Sequence, residues 1–271
     1  MKTRPCHSTT KKRAIRIPGS ILKAQLGLAL SLSLFICGYT IAQEKEVLRE
    51  NQVWLQYYGQ AKLSQKWTWQ FDGGFRWREV LMESTQHILR TAIGYSPRDH
   101  VRLSVGLAHL GFYSDEKLPR VEFRPYQEVQ LTQPLAKVSL NHRFRLEQRI
   151  FYPVVEGRIQ QTNHFHFRVR YATLLGIPLF KLSRDNPQSA FILYVGDEIF
   201  LNFGPEITNN YFDQNRLLIS PTFRLNEALS ISLTWNNQFA STPVPSAYEH
   251  TQVFWLQIRH HLDWSKGKTG E

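Results

Sequence analysis

The chain has 271 residues, with 33 basic against 22 acidic for a formal charge of +11, 13% aromatic residues and two cysteines. Seven of the basic residues and both cysteines, Cys6 and Cys37, precede the first acid, Glu44. Without residues 1–42 the charge falls to +4 over 229 residues and no thiol remains. This excludes a disulfide framework, thiolate metal sites and a charge-based case for nucleic-acid binding.

In chain order, the first element is an export signal. Lys2, Arg4, Lys11, Lys12, Arg13, Arg16 and Lys23 precede the apolar run 26–37 (LGLALSLSLFIC), which leads to small residues and a cleavage site at Thr40-Ile41-Ala42. The run is too short for a comfortable transmembrane helix. Residues 1–42 are therefore expected to be a cleavable signal peptide, 43–264 the exported domain and 265–271 a short tail.

A two-residue rhythm then runs through nearly the whole chain. Trp67, Trp69, Phe71, Phe75 and Trp77 alternate with Thr68, Gln70, Asp72, Gly74, Arg76 and Arg78. Val101, Leu103, Val105 and Leu107 alternate with Arg102, Ser104, Gly106 and Ala108, and Val121, Phe123, Val129 and Leu131 oppose Glu122, Arg124, Tyr126, Glu128 and Gln130. The run 138–150 (VSLNHRFRLEQRI) is the clearest, setting Arg143, Arg145, Glu147 and Arg149 against Leu140, His142, Phe144, Leu146 and Ile150. Runs 164–171, 216–224, 229–239 and 251–264 repeat the pattern, and no comparable stretch has a helical period. Side chains alternate between the faces of a strand, so one face is apolar and the other polar and arginine-rich.

The spacing predicts an all-β protein, an antiparallel transmembrane β-barrel of about 10–12 strands with a polar, Arg-rich interior. Runs of about 10–13 residues suit tilted membrane strands. Short connections (64–65, 96–100, 132–136, 226–227) take turns with longer ones (114–120, 151–161, 202–213, 240–250), as in outer-membrane barrels. Trp54, Trp67, Trp77, Trp235 and Trp264 suit interfacial girdles. Beyond residue 42 there are 18 arginines against 8 lysines, a bias that packed interior ion pairs explain and a solvated face does not. Eleven runs can be counted, although a bacterial barrel with both ends in the periplasm needs an even number. The run from Ala190 is the irregular one, because Asp197 shares the alternation of Phe191, Leu193 and Val195, and a bulge there would re-aim it.

The segments VWLQYYGQAKLSQKWTWQFDGGFRWRE, NHRFRLEQRIF, HFRVRYATLLGIPL, YVGDEIFLNFG and FDQNRLLISPTFRL, with a terminal aromatic strand, resemble the bacterial family designated domain of unknown function 2490. The resemblance spans about 51–264 and is most specific in Arg143, Arg145, Glu147, Arg149, Arg168, Arg170, Glu198 and Arg216. It implies an exported outer-membrane β-barrel, common in the Bacteroidetes, and supplies no activity. It also implies outer-membrane lipid and the barrel-assembly machinery as partners.

Nothing marks a catalytic site. Outer-membrane phospholipases and lipid A deacylases place a His and a Ser two residues apart on an outward strand face, and no His-x-Ser occurs. Outward His109 and His142 suit interfacial polar aromatics. His164 and His166 share a face, with His261 the one candidate third ligand, so no metal or other cofactor is expected. Glu147 and Glu198 suit ion pairing better than acid–base work beside so many arginines. The leading expectation is a non-enzymatic outer-membrane barrel filled by an Arg–Glu network. The alternatives are a narrow pore for a small anionic solute and a secreted soluble barrel that binds an apolar ligand.

Overall fold

The computed structural model describes residues 46–79, 81–207 and 210–265. The predicted signal 1–42 and nearly all of the tail lie outside these residues. The described chain is all β: β1 (Glu46–Lys62), β2 (Trp67–Arg78), β3 (Glu83–Arg98), β4 (Val101–Ser114), β5 (Lys117–Leu135), β6 (Val138–Val155), β7 (Arg158–Ile159), β8 (His164–Lys181), β9 (Ala190–Phe203), β10 (Phe212–Arg224), β11 (Leu229–Ser241) and β12 (Ala247–Asp263). Consecutive wall strands pair antiparallel, β6 directly with β8, and β7 is a two-residue arm folded back on the end of β6. Eleven strands form the wall.

The odd count is resolved at the seam. There β1 and β12 pair in parallel, from Glu46 opposite Ala247 to Lys62 opposite Asp263. Eleven strands make ten antiparallel steps, and an even number of reversals returns the last strand in the direction of the first, so closure requires one parallel pair. Eleven strands fall within the expected 10–12, and the departure from a wholly antiparallel wall is this single parallel pair. Residues 46–52 begin β1. Closure leaves no sheet edge, and β1 starts at one mouth (the N-mouth) while β12 ends at the other (the C-mouth).

Strands are longer than the sequence suggested, 12 to 19 residues in the wall, because ladders continue beyond the apolar stretches. The expected loop 114–120 shrinks to a turn at Asp115 and Glu116, whose φ values of 50° and 58° fit the tight hairpin type that matches strand twist. The C-mouth carries a connection, 182–189, as long as the 204–211 connection of the N-mouth. The regular alternation of short and long loops is therefore not present.

Alternation places the side chains as expected, with the apolar row outward. Val105, Leu107 and Phe254 are 61%, 59% and 56% exposed, whereas Glu122 and Glu147 are fully buried. The interior is the charged side, opposite to what a soluble barrel enclosing an apolar ligand requires. Two details differ from expectation. Trp54 points inward and is 2% exposed, while Trp67 and Trp264 lie outward at the C-mouth, where Trp264 packs on Trp69. No bulge re-aims Asp197: it stays on the outer row, and its carboxylate accepts hydrogen bonds from the Asn215 amide at 2.8 and 3.0 Å.

Glycine appears on the inner face where an aromatic ring must lie flat across a neighbouring strand. A Cβ on Gly106 would stand 2.5 Å from the Tyr126 ring, and one on Gly176 would stand 2.6 Å from that of Tyr194. A small apolar patch of Ile88, Ala92, Ala108, Leu110 and Tyr126 lines the inside of β3–β5. The polar interior expected from the sequence is therefore interrupted there.

Candidate functional site

The run 138–150 forms most of β6 and aims Arg143, Arg145, Glu147 and Arg149 inward at successive rungs. The antiparallel register with β8 sets Glu147 opposite Arg168 and Arg145 opposite Arg170. Strand β9 brings Glu198 inward, and β10 sets Arg216 opposite it. All eight predicted residues thus share one inner surface.

Glu147 is its centre. The Arg168 Nε donates to Glu147 Oε2 at 2.8 Å and the Arg170 Nη1 to Oε1 at 2.8 Å, with Nη1 of Arg124 and of Arg145 each 3.7 Å away. Four guanidiniums therefore surround one buried carboxylate. Glu198 accepts from Arg143 Nη2 at 2.6 Å and from Arg170 Nε at 2.9 Å, so Arg170 bridges the two acids. A pair of charges stripped of water gains from mutual attraction only when the remaining donors and acceptors are also matched. Sharing each carboxylate among several arginine forks achieves that here.

Arg149 turns away from Glu147 to Glu122, donating from Nε at 2.8 Å and Nη2 at 3.1 Å. Arg145 donates to Glu128 Oε2 at 2.6 Å. Arg216 makes no ion pair among the described residues. Its Nε donates to Gln238 at 3.0 Å and its guanidinium lies over Phe200, 4.7 Å from the ring centre. Phe200 is also covered by Arg170 at 4.4 Å and Arg168 at 5.2 Å, so arginine and aromatic planes interleave.

Four further members escaped the sequence reading. Glu122 and Arg124 form a two-pronged pair at 2.6 and 2.7 Å, and Glu128 pairs with Arg145 across the β5–β6 register. Asp213 accepts from Arg168 Nη1 at 2.7 Å. The signal for the first three was present, because they occupy the polar row of β5, one hairpin from β6. Asp213 ends the stretch 202–213, which the sequence reads as a connection. A separate pair, Arg90 to Asp72 at 2.8 Å, is joined by Gln56 at 2.6 Å. Beyond these, Arg102 of β4 reaches over β2 and β3 to Gln60 of β1 at 2.9 Å, spanning part of the interior.

The histidines do not converge. His164 stands exposed at the N-mouth near Glu206, His166 stacks on Phe151 with ring centres 5.6 Å apart, and His261 lies near the C-mouth end of β12. Outward His109 stacks on His87 at 5.3 Å, and His142 bonds the Tyr171 hydroxyl at 2.9 Å. Among the described residues no three His, Cys, Asp or Glu side chains are grouped to hold a metal ion.

No curated protein and no solved structure matches this chain. The profile of a family described as "Protein of unknown function (DUF2490)" matches residues 51–249. That match stops short of most of β12, so it is narrower than the span to residue 264 expected from the sequence, and it contains all eight predicted network residues. The chain belongs to the DUF2490 family of proteins of unknown function.

Proposed function

We propose that this is an integral outer-membrane β-barrel protein of a Gram-negative envelope, with a structural role and a lumen closed by its own Arg–Glu network. One observation carries it, the inversion of polarity between a buried charged interior and an exposed apolar wall. In water, each Å² of exposed apolar surface forgoes roughly 25 cal/mol, a loss that hydrocarbon removes. A closed barrel also satisfies its backbone groups internally, as lipid requires. Export by the basic-apolar leader, insertion by the barrel-assembly machinery and a surrounding of outer-membrane lipid belong to this proposal.

Cell fractionation tests it. The protein is expected in the outer-membrane fraction, released only by detergent, and to migrate differently on gels before and after boiling. Recovery in the soluble periplasmic fraction without detergent would sink the membrane assignment.

A second reading, a narrow anion-preferring pore, is favoured by interior arginines that lack a carboxylate among the described residues, such as Arg216 and Arg259. Planar-bilayer recording separates the two. A closed lumen gives no single-channel current, whereas an anion-selective current lost in Arg145→Ala would replace the closed barrel with the pore.

A further inference from the structure

The carboxylates of the network and of the β2–β3 pair are each engaged by an arginine, and of the inward guanidiniums outside that pairing, Arg76 and Arg216 share one aromatic ring. Arg76 on β2 makes no hydrogen bond or ion pair to any described residue, and its guanidinium carbon lies 3.8 Å from the Trp54 ring centre. Arg216 on β10 is 7% exposed, uses only Nε, toward Gln238, and lies 5.2 Å from the same ring centre. The two charges are therefore no more than about 9 Å apart, with both terminal nitrogens of each unpartnered among the described residues. Trp54 is held in place, since its indole nitrogen donates to Gln52 at 2.8 Å. On β11, the neighbour of β10, inward Asn236 is fully buried, and neither its amide nitrogen nor its oxygen has a hydrogen-bond partner among the described residues.

Two like charges on one ring, Arg76 half-buried and Arg216 buried, repel each other. Glu198, opposite Arg216 across the β9–β10 register, is engaged by Arg143 and Arg170 and makes no ion pair with it. We infer that Arg76 and Arg216, braced on Trp54, hold a small oxyanion of the phosphate or sulfate type inside the barrel. Guanidinium forks match tetrahedral oxyanions through paired hydrogen bonds, and stacking on the indole pre-orients them. The ion is free in solution and not part of a lipid headgroup, because both arginines point away from the outer wall. It enters from the N-mouth, near which Arg76 and Arg216 lie on β2 and β10. The site needs the folded barrel and not the membrane assignment, so soluble recovery of the protein would leave it standing.

Calorimetric titration of the full, detergent-folded protein with inorganic phosphate at low ionic strength tests it. One ion per barrel is expected, with affinity reduced at least about tenfold in Arg76→Gln and in Arg216→Gln, as loss of a charged hydrogen-bonding partner implies. Absence of saturable binding, or unchanged affinity in either folded variant, overturns the site. Should the variants not fold, phenylglyoxal labelling of the unaltered protein decides. Phosphate is expected to protect Arg76 and Arg216, and protection confined to other arginines overturns the proposal.

Discussion

The inner surface has two polar sectors that solve the same problem differently. On β5–β9, long charged side chains share carboxylates, with Glu147 surrounded by four arginines. On β10–β12 the inward groups are short and mostly neutral: Ser220 bonds Thr234 at 2.6 Å, Thr222 bonds Ser232 at 2.8 Å and Gln257 donates to Thr234 at 2.9 Å. The contrast is first one of volume. Arginines fill much of the lumen, and small hydroxyl side chains fill little of it. It is also one of risk, since a neutral pair that loses a member strands a dipole, whereas an ionic cluster strands charge.

Glu147→Leu breaks the contrast most severely. Removing the acid leaves four arginines around an apolar side chain, with an expected loss of about 3–5 kcal/mol measured by urea unfolding of the folded barrel. The next effect is coupling within the ionic sector. In a cycle of Glu128→Gln and Arg145→Met, the double variant should fall short of the summed single losses by about 1–3 kcal/mol, and additivity would show that the pair acts independently. Thr222→Val in the hydroxyl sector should cost only about 1 kcal/mol, because Ser232 keeps the Arg259 guanidinium as a partner at 2.9 Å. The smallest effect is that of salt. Raising sodium chloride tenfold should move unfolding of the unaltered barrel by under about 0.5 kcal/mol, since buried pairs are little screened, and a larger shift would mean that the network is wet.

The alternation made the inward row legible before any contact was known. Arg143 to Arg149, Arg168, Arg170, Glu198 and Arg216 all face inward because period two is a local property of the strand. Pairing is not local. Which arginine meets Glu147 depends on the β6–β8 register and on side chains reaching over an intervening strand, as Arg143 does over β8 to Glu198. Trp54 shows the opposite failure. An aromatic near a strand end suits an interface by composition, yet its parity places it inside beneath Arg76. Strand ends were misplaced for a related reason, since the ladder follows backbone pairing into polar sequence where hydropathy no longer marks it.

The parallel seam also sets an order of events for the chain. Every other backbone pairing between wall strands joins consecutive wall strands, so it can form as a hairpin or over a short connection. The pairing of Glu46–Lys62 with Ala247–Asp263 joins opposite ends of the described chain and must wait until both are made. The largest single loop-closure entropy falls on that step, which joins the strands most distant in sequence. A circular permutant cannot move this step with a short linker, because Glu46 and Asp263 leave from opposite mouths. Late closure, and the chance for an unfinished barrel to remain open along one line, are therefore built into the topology.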